Sequence, residues 1–477
     1  MSTYHLPTPS NPKVLIVGAG LGGLTLAILL ERANIDYVVY ERAKVIRPLG
    51  SVIGLSPNVL PLLEQLGLLE ELESIWMEIR RHIAYKESAD RESLESFSDN
   101  DFSLLQSVSG YPSAAMTRPD LHAVLLSHVP AHKIHLGKRV LSISQDDRNG
   151  VLIRTNDGLT HEGDILVGCD GAYSGVRQSL YSLLSKEGIL PSSDAAELKV
   201  CHKSILGITD SMDPSVVPFS KDGFGRSDAV IANGKPFGWR YFEVPRNRFC
   251  WRVDIQLQSN SFNHTDAFRN TDWGSESSES IEDDWRSFKV PLKSTQGDYL
   301  TIGQLIDATP KENITKVMLE EKMYTTWYNR RTVLMGDACH KMLPNAGRGA
   351  VNAMLDAVII ANELYEIAQN ATAENITKAF KAYYNERYSR AKDDLNASQR
   401  MAKVFVGQTW SDVLMRKVLL NLMPTVLMQS LYTRTVSYRP QASFLPKIPY
   451  RGTGSVEPQK ESKRYQREMA LAEQPRQ

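Results

Sequence analysis

A glycine-rich turn near the start of the chain limits the folds that this sequence can adopt. Val14–Val17 is a short apolar run, and residues 18–23 (GAGLGG) follow it with the spacing GxGxxG. A helical pattern then continues to about Asn34, and a second apolar run, Tyr37–Tyr40, ends in Glu41. Strand, glycine turn, helix, strand and acidic residue in this order indicate a Rossmann-like unit that binds a dinucleotide.

The glycines and the acidic residue have separate tasks in such a unit. Gly18, Gly20 and Gly23 allow a tight turn, a close approach of the backbone to a pyrophosphate, and tight packing of helix on strand. The start of the helix offers free N–H groups and the positive end of its dipole to the phosphates. Glu41 is expected to accept hydrogen bonds from ribose hydroxyls. This unit alone does not distinguish NAD from FAD.

The composition of the chain excludes several classes of protein and of site. The 477 residues carry 55 basic and 55 acidic side chains, so no net positive charge favours nucleic-acid binding. A hydrophobic content of 42% with 23% charged residues is typical of a globular protein of two or three domains. The four cysteines include no CxxC pair, so we predict neither a metal site nor a disulfide framework. We therefore expect the protein to work in a reducing compartment.

Two later segments repeat the pattern of a strand that ends at glycine and aspartate. Gly163–Cys169 predicts a buried strand before Asp170-Gly171, and Arg331–Met335 predicts another before Gly336-Asp337. Ser174 then has the character of a helix N-cap. In each case the chain has glycine close to a polar side chain that could contact a ligand.

With these residues the chain resembles the group A flavoprotein monooxygenases, the flavin-dependent aromatic hydroxylase class. That class carries a GxGxxG, a DG and a GD motif, matched here by residues 18–23, by Asp170-Gly171 and by residues 336–357. The resemblance implies FAD as cofactor, Asp170 as a cofactor-binding residue and Asp337 as the partner of the ribityl hydroxyls. It also implies that residues 344–350 face the pyrimidine edge of the flavin, through Gly347, Gly349 and Ala350.

Two smaller segments agree with this resemblance. Residues 50–58, which include Gly54, resemble the loop that lines the flavin in this class. Residues 117–122 resemble its R-x-x-L segment, so Arg118 is expected to reach the cofactor, since a guanidinium suits phosphate and hydroxyl groups. No second GxGxxG is evident, which agrees with a class in which NADPH or NADH docks transiently as co-substrate.

The implied architecture is an α/β fold in which a Rossmann-like FAD-binding domain carries an inserted antiparallel β-sheet substrate domain and C-terminal helices. We expect the FAD-binding domain to be discontinuous. The expected boundaries are 1–85, 106–190 and 300–370 for the FAD-binding domain, 86–105 and 191–299 for the substrate domain, 371–440 for the helical region and 441–477 for a tail.

The middle of the chain is rich in β-type runs with alternating aromatic residues. Phe237, Trp239 and Tyr241 alternate with period two, which places them on one face of a strand, either as an aromatic wall of the substrate site or as ordinary sheet core. Tyr241 is the candidate for a catalytic, substrate-facing hydroxyl. His340 follows the GD motif and is expected to support the flavin loop rather than to act in catalysis.

The C-terminal third carries a subclass signal. Residues 412–432 are strongly apolar but contain Arg416, Lys417 and Pro424, which favours a helix packed on the protein or lying on a membrane surface over a membrane span. Residues 438–452 resemble the corresponding segment of the fungal paxilline-type FAD monooxygenases of meroterpenoid and indole-diterpene biosynthesis.

That subfamily implies an oxidoreductase that uses FAD, NAD(P)H and O2 through a C4a-hydroperoxyflavin to epoxidise a prenyl olefin before terpene cyclisation. An isolated alkene needs no base to deprotonate it, and the sequence offers no convincing base. The alternatives are a hydroxylase of an aromatic or polyketide ring and a prenyl-binding escort protein of the same fold without flavin.

The expected partners are a lipophilic prenylated substrate and O2 but no nucleic acid. The expected location is cytoplasmic, with peripheral attachment to the endoplasmic reticulum through residues 412–432.

Overall fold

The computed structural model describes most of the chain. The described residues are 11–46, 50–88, 93–148, 150–196, 198–220, 223–232, 235, 237–257, 272–273, 285–406, 410–422 and 424–473. The polar stretch 259–284, which the sequence analysis does not connect with any chemistry, lies outside them except for residues 272–273.

The strands of the described residues belong to four sheets. In chain order they are β1 (Val14–Val17), β2 (Tyr37–Tyr40), β3 (Val52–Leu55), β4 (Met77–Glu87), β5 (Leu94–Asp101), β6 (Ala114–Thr117), β7 (Ile134–His135), β8 (Val140–Asp146), β9 (Gly150–Thr155), β10 (Thr160–Gly163), β11 (Ile165–Gly168), β12 (Lys199–Ile208), β13 (Phe224–Ile231), β14 (Phe237–Val244), β15 (Arg248–Gln256), β16 (Asp272–Trp273), β17 (Lys289–Lys293), β18 (Tyr299–Thr301), β19 (Thr315–Met323), β20 (Tyr328–Asn329), β21 (Thr332–Leu334) and β22 (His340–Lys341).

The α-helices alternate with the strands in the first half of the chain and dominate its end. In chain order they are α1 (Leu21–Arg32), α2 (Leu60–Gln65), α3 (Leu69–Glu73), α4 (Ser103–Ser109), α5 (Arg118–Ser127), α6 (Gly175–Lys186), α7 (Ser192–Ala195), α8 (Ile302–Asp307), α9 (Gly349–Ile367), α10 (Ala373–Val406), α11 (Trp410–Asn421), α12 (Thr425–Val436) and α13 (Lys463–Ala472).

The first sheet is a Rossmann-like sheet that confirms the predicted fold class. Its order is β20-β21-β11-β1-β2-β7, and β1 pairs in parallel with both β2 and β11. All four residues of β1 and of β11 are buried, as parallel strands covered on both faces require. Helix α1 packs so closely on α9 that a methyl group added at Gly22 would lie 2.9 Å from the Cβ of Ala353.

The second large sheet has eleven strands. Its main path runs β16-β19-β12-β15-β14-β13-β4-β6-β3, with β22 paired to β19 and β5 paired to β4. Most pairs are antiparallel, as predicted for the middle of the chain, but β4 and β13 are parallel. Strand β19 belongs to this sheet although its residues fall in the 300–370 segment predicted for the FAD-binding domain. Membership in a sheet thus does not follow the expected division of the chain at this strand, and the domain boundaries given above stay a proposal.

The two faces of this sheet pack against different parts of the chain. Trp239, Tyr241, Phe249 and Trp251 share one face and pack in a core cluster with the segment that contains β17, β18 and α8. On the other face Phe242 packs against Val52 of β3. The alternation of the aromatic residues was predicted correctly, but they form the sheet core.

The C-terminal helices differ in length and in exposure. Helix α10 extends over 34 residues, whereas α11 and α12 have 12 residues each and are separated at Pro424, the N-cap of α12. Within the described residues, none of the helices combines the length and the apolar character that a membrane crossing requires.

Candidate FAD and substrate site

The carboxyl ends of neighbouring parallel strands bring the first candidate residues together. Gly18 directly follows β1, Glu41 follows β2, and Asp170 comes two residues after the end of β11. Because β1 lies between β2 and β11, all three residues meet at one edge of the sheet, where ligands of open α/β sheets bind.

The glycine turn has little room for side chains at two of its positions. Gly18 has a φ angle of +110°, and a Cβ at this position would lie 2.5 Å from the carbonyl oxygen of Cys169. A Cβ at Gly23 would lie 2.0 Å from the carbonyl oxygen of Gly18. At Gly20, in contrast, an added Cβ meets no heavy atom of the described part of the chain within 4 Å, because this residue faces open space. The turn thus leaves an open approach to the N-terminus of α1.

Glu41 braces this turn. One carboxylate oxygen accepts a hydrogen bond from the backbone N–H of Ala19 at 2.9 Å, and the other accepts one from Ala43 at 2.8 Å. A carboxylate oxygen has more than one acceptor position, so both remain able to accept a ribose hydroxyl. The predicted contact with ribose stays a proposal, and the structural contact with the turn was not anticipated.

Asp170 has a structural task that the motif did not reveal. Its carboxylate accepts hydrogen bonds from the hydroxyl of Ser174 and from the backbone N–H groups of Gly175, at 2.7 Å, and Val176, at 3.3 Å. It therefore caps α6 together with Ser174, the predicted N-cap, whose hydroxyl accepts from the N–H of Arg177. Burial raises the pKa of Asp170, and these hydrogen bonds act in the opposite direction.

A cleft of about 1670 Å³ extends along this edge of the sheet, and its walls include Gly18, Gly20, Glu41, Arg118 and Asp170. Its volume exceeds the roughly 300–1,000 Å³ of small-ligand pockets, as an extended dinucleotide requires. The open position at Gly20, the helix N-terminus behind it and a guanidinium fit a pyrophosphate. The residues present therefore fit FAD.

Arg118 connects the cleft to the GD loop. Its side chain packs over Gly50, where an added Cβ would lie 3.0 Å from the Cδ atom of Arg118. Burial lowers the pKa of Arg118, and the negative charges of Asp337 and Glu41 oppose this effect. Both predicted acidic residues thus act on the charge of Arg118, whose side chain borders the cleft.

Asp337 lies in a group of charged residues at the start of the GD loop. The ammonium group of Lys341 donates to its carboxylate at 2.7 Å. Nearby, the hydroxyl of Tyr173, which lines the cleft, donates to the buried carboxylate of Glu320. Burial raises the pKa of Glu320 to about 7, while the charge of Lys341 lowers it and that of Asp337 raises it further.

The segment after the GD motif meets the predicted flavin-lining loop. Arg348 is the N-cap residue of α9 and donates a hydrogen bond to the side-chain oxygen of Asn58 at 2.9 Å. The amide of Asn58 in turn donates to the carbonyl oxygens of Thr435 and Tyr438. Gly347, Gly349 and Ala350 therefore lie close to residues 50–58, which include Gly54, although neither group lines the cleft described above.

A buried network of hydrogen bonds and ion pairs around Asp356 supports the GD loop. Asp356 accepts hydrogen bonds from the N–H of Gly336 at 2.9 Å, from Nε of Arg387 at 2.8 Å and from Nε2 of His340 at 2.6 Å. Burial alone raises the pKa of Asp356, but the charges of His340 and Arg387 lower it to about 2. Cys339, His340 and Asp356 place possible metal ligands within 4.8 Å of one another, but Arg387 already supplies the cation. This arrangement agrees with the expected structural task of His340.

Tyr241 does not join the other candidates, so the prediction that it faces a substrate is corrected. Its hydroxyl donates to the carboxylate of Asp228 at 2.6 Å, and the side chain is fully buried. It shares the sheet face that packs against β17 and α8, whereas Phe242 points to β3. Period two predicts which residues share a face and does not predict which face meets the site.

Several residues of the site were missed by the sequence analysis, notably Glu320, Lys341, Asp356 and Arg387. Asp356 carried a usable signal, because it is a charged residue on an otherwise apolar stretch of α9, and such a residue needs a buried partner. Glu320 and Lys341 carried no comparable signal, because each lies in a mixed polar run.

A model of the family described as FAD binding domain matches residues 11–202 and 270–398. Among curated proteins, the FAD-dependent monooxygenase nvfK of Aspergillus novofumigatus is 32% identical over 355 residues, which cover 73% of this chain and 70% of the relative. The FAD-dependent monooxygenase paxM of Penicillium paxilli is 30% identical over 403 residues, which cover 82% of this chain and 78% of the relative.

Solved structures support the same fold. HpxO of Klebsiella pneumoniae in complex with FAD and uric acid superposes with a TM-score of 0.69 at 20% identity, covering 90% of this chain and 97% of that one.

Proposed function

Because the chain belongs to the FAD binding domain family and is an FAD-dependent monooxygenase, we propose that it epoxidises an olefin in the prenyl chain of a meroterpenoid or indole-diterpene intermediate before terpene cyclisation. The reductant in this proposal is NADPH or NADH, and O2 is the source of the oxygen atom. The substrate class follows the resemblance of residues 438–452 to the paxilline-type enzymes.

The observation that carries the proposal is the apolar character of the sheet where it meets the predicted flavin loops. Beside residues 50–55, Val52 packs with Ile208, Phe242, Val244 and Cys250. Beside residues 344–350, the apolar side chains are those of Val317, Leu319, Leu343 and Ala402. Such walls suit a hydrocarbon chain and exclude water from a reactive oxygen species.

In this mechanism different residues of the chain bind the cofactor and orient the substrate. Bound FAD supplies the redox chemistry, accepting a hydride and activating O2. The start of α1 and Arg118 would hold the pyrophosphate, Glu41 would orient the ribose, and Asp337 would orient the ribityl chain. The N-terminus of α9, at Gly349 and Ala350, would stabilise negative charge on the bound flavin. The apolar walls align the alkene, and no base is required.

The decisive experiment supplies the FAD-loaded protein with NADPH or NADH, isotopically labelled O2 and a panel of prenylated aromatic and indole compounds. We expect a product with one labelled oxygen in place of one prenyl double bond, and faster oxidation of the reductant when the substrate is present. A labelled oxygen on the aromatic ring would support the hydroxylase alternative. Colourless protein that takes up no FAD would support the escort-protein alternative.

We also propose that residues 412–432 attach the enzyme to the cytoplasmic surface of the endoplasmic reticulum membrane. Helices α11 and α12 expose many large apolar side chains, and basic side chains such as Lys417 and Arg434 lie among them. Apolar side chains with cationic neighbours suit the interface of an anionic bilayer. Within residues 412–432 the apolar side chains and their exposed fractions are Val413 50%, Leu414 52%, Val418 44%, Leu422 61%, Val426 80%, Leu427 56% and Leu431 47%. Trp410, two residues before this segment and in the same helix α11, is 81% exposed.

Co-sedimentation with phosphatidylcholine vesicles, with and without phosphatidylserine, tests this attachment. We expect binding that increases with phosphatidylserine and that decreases in a Trp410→Ser, Val426→Ser variant. Leu159→Ser is the matched control, because Leu159 is also exposed, at 53%, but lies outside the C-terminal helices. Equal sedimentation of all three proteins would contradict the proposed surface.

A further inference from the structure

A polar cluster occupies the sheet face between the two apolar walls. In the register of the sheet, Ser204 pairs with Asp254, and Arg252 pairs with Arg240 on the next strand. Phe242, two residues along β14 from Arg240, contacts the wall beside residues 50–55. Val317, which pairs with Ser204, belongs to the wall beside residues 344–350. The cluster therefore lies between the two loops predicted to hold the flavin.

Asp254 is the centre of this cluster. One of its oxygens accepts hydrogen bonds from Nε of Arg252 at 2.5 Å and from the hydroxyl of Ser204. Its other oxygen forms an ion pair with Arg240 at 3.5 Å. All three charged residues are at least nine-tenths buried. We call Ser204, Arg240, Arg252, Asp254 and the neighbouring His202 the Asp254 cluster.

The Asp254 cluster contains more positive charge than negative charge. Within the described residues, Asp254 is the only carboxylate in an ion pair with either guanidinium, so two cations share one anion. Burial lowers the pKa of Arg240 to about 10, with the charge of Asp254 opposing this effect and that of Arg252 adding to it. A buried charge without a partner is costly, which favours an additional anion at this place.

Among the described residues, two polar atoms of the Asp254 cluster find no hydrogen-bond partner. They are Nη2 of Arg252 and Nδ1 of His202, and both are buried. Arg252 is 9% exposed and His202 is 8% exposed. Buried polar atoms without a partner are rare in proteins and indicate a water, an ion or a ligand that satisfies them.

We propose that the Asp254 cluster is a subsite for an anionic oxygen group on the substrate, a carboxylate or an ionised phenol or enol, bound by Arg252 and His202. This inference rests on the proposed function in so far as the group belongs to the polar head of a prenylated substrate. A carboxylate can accept from Nη2 of Arg252 and, in the tautomer that carries its proton on Nδ1, from His202, and the flanking walls receive the apolar remainder. The subsite would fix the position of the prenyl chain relative to the flavin.

The end of α10 covers this subsite. The ring of Phe405 lies 4.7 Å from the guanidinium carbon of Arg240, and α11 is tied to the same segment by a hydrogen bond from Arg416 to the carbonyl oxygen of Val404. A ligand that approaches past Arg240 from this side would have to displace Phe405. Since α11 carries part of the proposed membrane surface, a lipophilic substrate would arrive from the side that must open.

Benzoate and benzamide are suitable probes, because they have nearly the same shape and differ in charge. Calorimetric titration of the FAD-loaded protein is expected to give benzoate at least tenfold tighter binding than benzamide. Arg252→Gln should weaken benzoate about tenfold or more and leave benzamide unchanged. Arg81→Gln is the matched control, because Arg81 pairs with the exposed Asp99 on the same sheet and should leave both affinities unchanged.

Equal affinity for the two probes, or a preference for benzoate that persists in Arg252→Gln, would overturn the proposal. Should Arg252→Gln not fold, His202→Phe provides the same comparison, because it keeps a ring and removes the second donor. Binding does not depend on turnover, so the two proposals can fail separately. A protein that prefers benzoate but forms no epoxide contradicts the proposed reaction alone, and an epoxidase without this preference contradicts the subsite alone.

Discussion

The three motif glycines of the first turn are under different physical constraints, which single substitutions can separate. Gly23→Ala places a methyl group on the carbonyl oxygen of Gly18, at 2.0 Å, so we expect a large loss of stability and of FAD. Gly20→Ala adds a methyl group that meets no atom of the described residues within 4 Å and instead enters the cleft, so we expect a stable protein that binds FAD weakly. The ratio of flavin to protein absorbance and the unfolding temperature measure the two effects. Equal unfolding temperatures for the two variants would contradict this view of the turn.

Asp337 offers the second test at this scale. If its carboxylate binds the ribityl hydroxyls, Asp337→Ala should weaken FAD binding about 10- to 100-fold, the effect of removing a charged hydrogen-bond partner worth about 1.5–3 kcal/mol. Fluorescence titration of the apoprotein with FAD gives the affinity. Asp307→Ala is the control, since Asp307 is exposed and pairs with Arg286. An unchanged affinity in Asp337→Ala would refute the assignment.

Glu320 provides a pH-dependent test. Burial raises its pKa from the usual 4.5 to about 7, so the folded state binds this proton more tightly than the unfolded state does. The stabilisation is complete below about pH 4.5 and is lost as the pH rises through about 7. Glu320→Gln should therefore remove part of the fall in stability between pH 5 and 8, as measured by urea unfolding. Glu374→Gln, at an exposed pair with Lys378, should leave the slope unchanged.

At the residue scale, a sequence motif is most informative where it fixes both the backbone conformation and the place of a residue in the strand order. Gly18, Glu41 and Asp170 come together because three parallel strands end at one edge, and the sequence order alone implies that edge. The hydrogen bonds of Asp170 to the start of α6 were not predictable from the Asp-Gly pair. Tyr241 was misplaced because nothing local to β14 indicates which layer covers each face.

At the scale of the elements, α9 and α10 are joined by the ion pair of Asp356 and Arg387. Asp356→Asn leaves Arg387 buried without its anion, so we expect a loss of about 3–5 kcal/mol in the free energy of unfolding. The double variant with Arg387→Met should be more stable than Asp356→Asn alone, because it removes the unpaired charge. Urea unfolding of the three proteins measures this order. A double variant less stable than Asp356→Asn would contradict the explanation.

Helix boundaries illustrate what periodicity can and cannot predict. Residues 376–405 carry an amphipathic pattern that indicates a helix, and α10 covers them with a few more residues at its ends, because a long helix carries many repeats of the signal. Residues 59–69 also have a helical pattern, but the structure divides this region into α2 and α3, with Gly67 at a φ angle of +77° between them. A short helix offers too few turns for the pattern to reveal such an interruption.

At the scale of the whole molecule, residues 442–446 near the C-terminus pack against α2, in the first part of the chain. The amide of Gln65 donates to the carbonyl oxygens of Ala442 and Pro446, both at 3.0 Å, and its oxygen accepts from the N–H of Ala442. Composition and local pattern gave no indication of these contacts, because they join residues almost 380 positions apart.

These hydrogen bonds predict that the C-terminal tail stabilises the part of the fold that is expected to bind FAD. Gln65→Ala removes the side-chain partners of residues 442–446, so we expect a loss of about 1–3 kcal/mol in the free energy of unfolding and faster proteolysis after residue 436. Gln296→Ala, in the exposed turn between β17 and β18, is the control. Proteolysis at the same rate in both variants would argue against a bracing task for the tail.

The exposure of Trp410 has an optical consequence. Trp239, Trp251 and Trp327 are almost completely buried, whereas 81% of Trp410 is open to water at the first residue of α11. Indole emission shifts to shorter wavelength when the ring leaves water, and buried rings have little left to shift. Among the described tryptophans, Trp410 is thus placed as a natural fluorophore that reports, without any label, the moment at which α11 meets a bilayer.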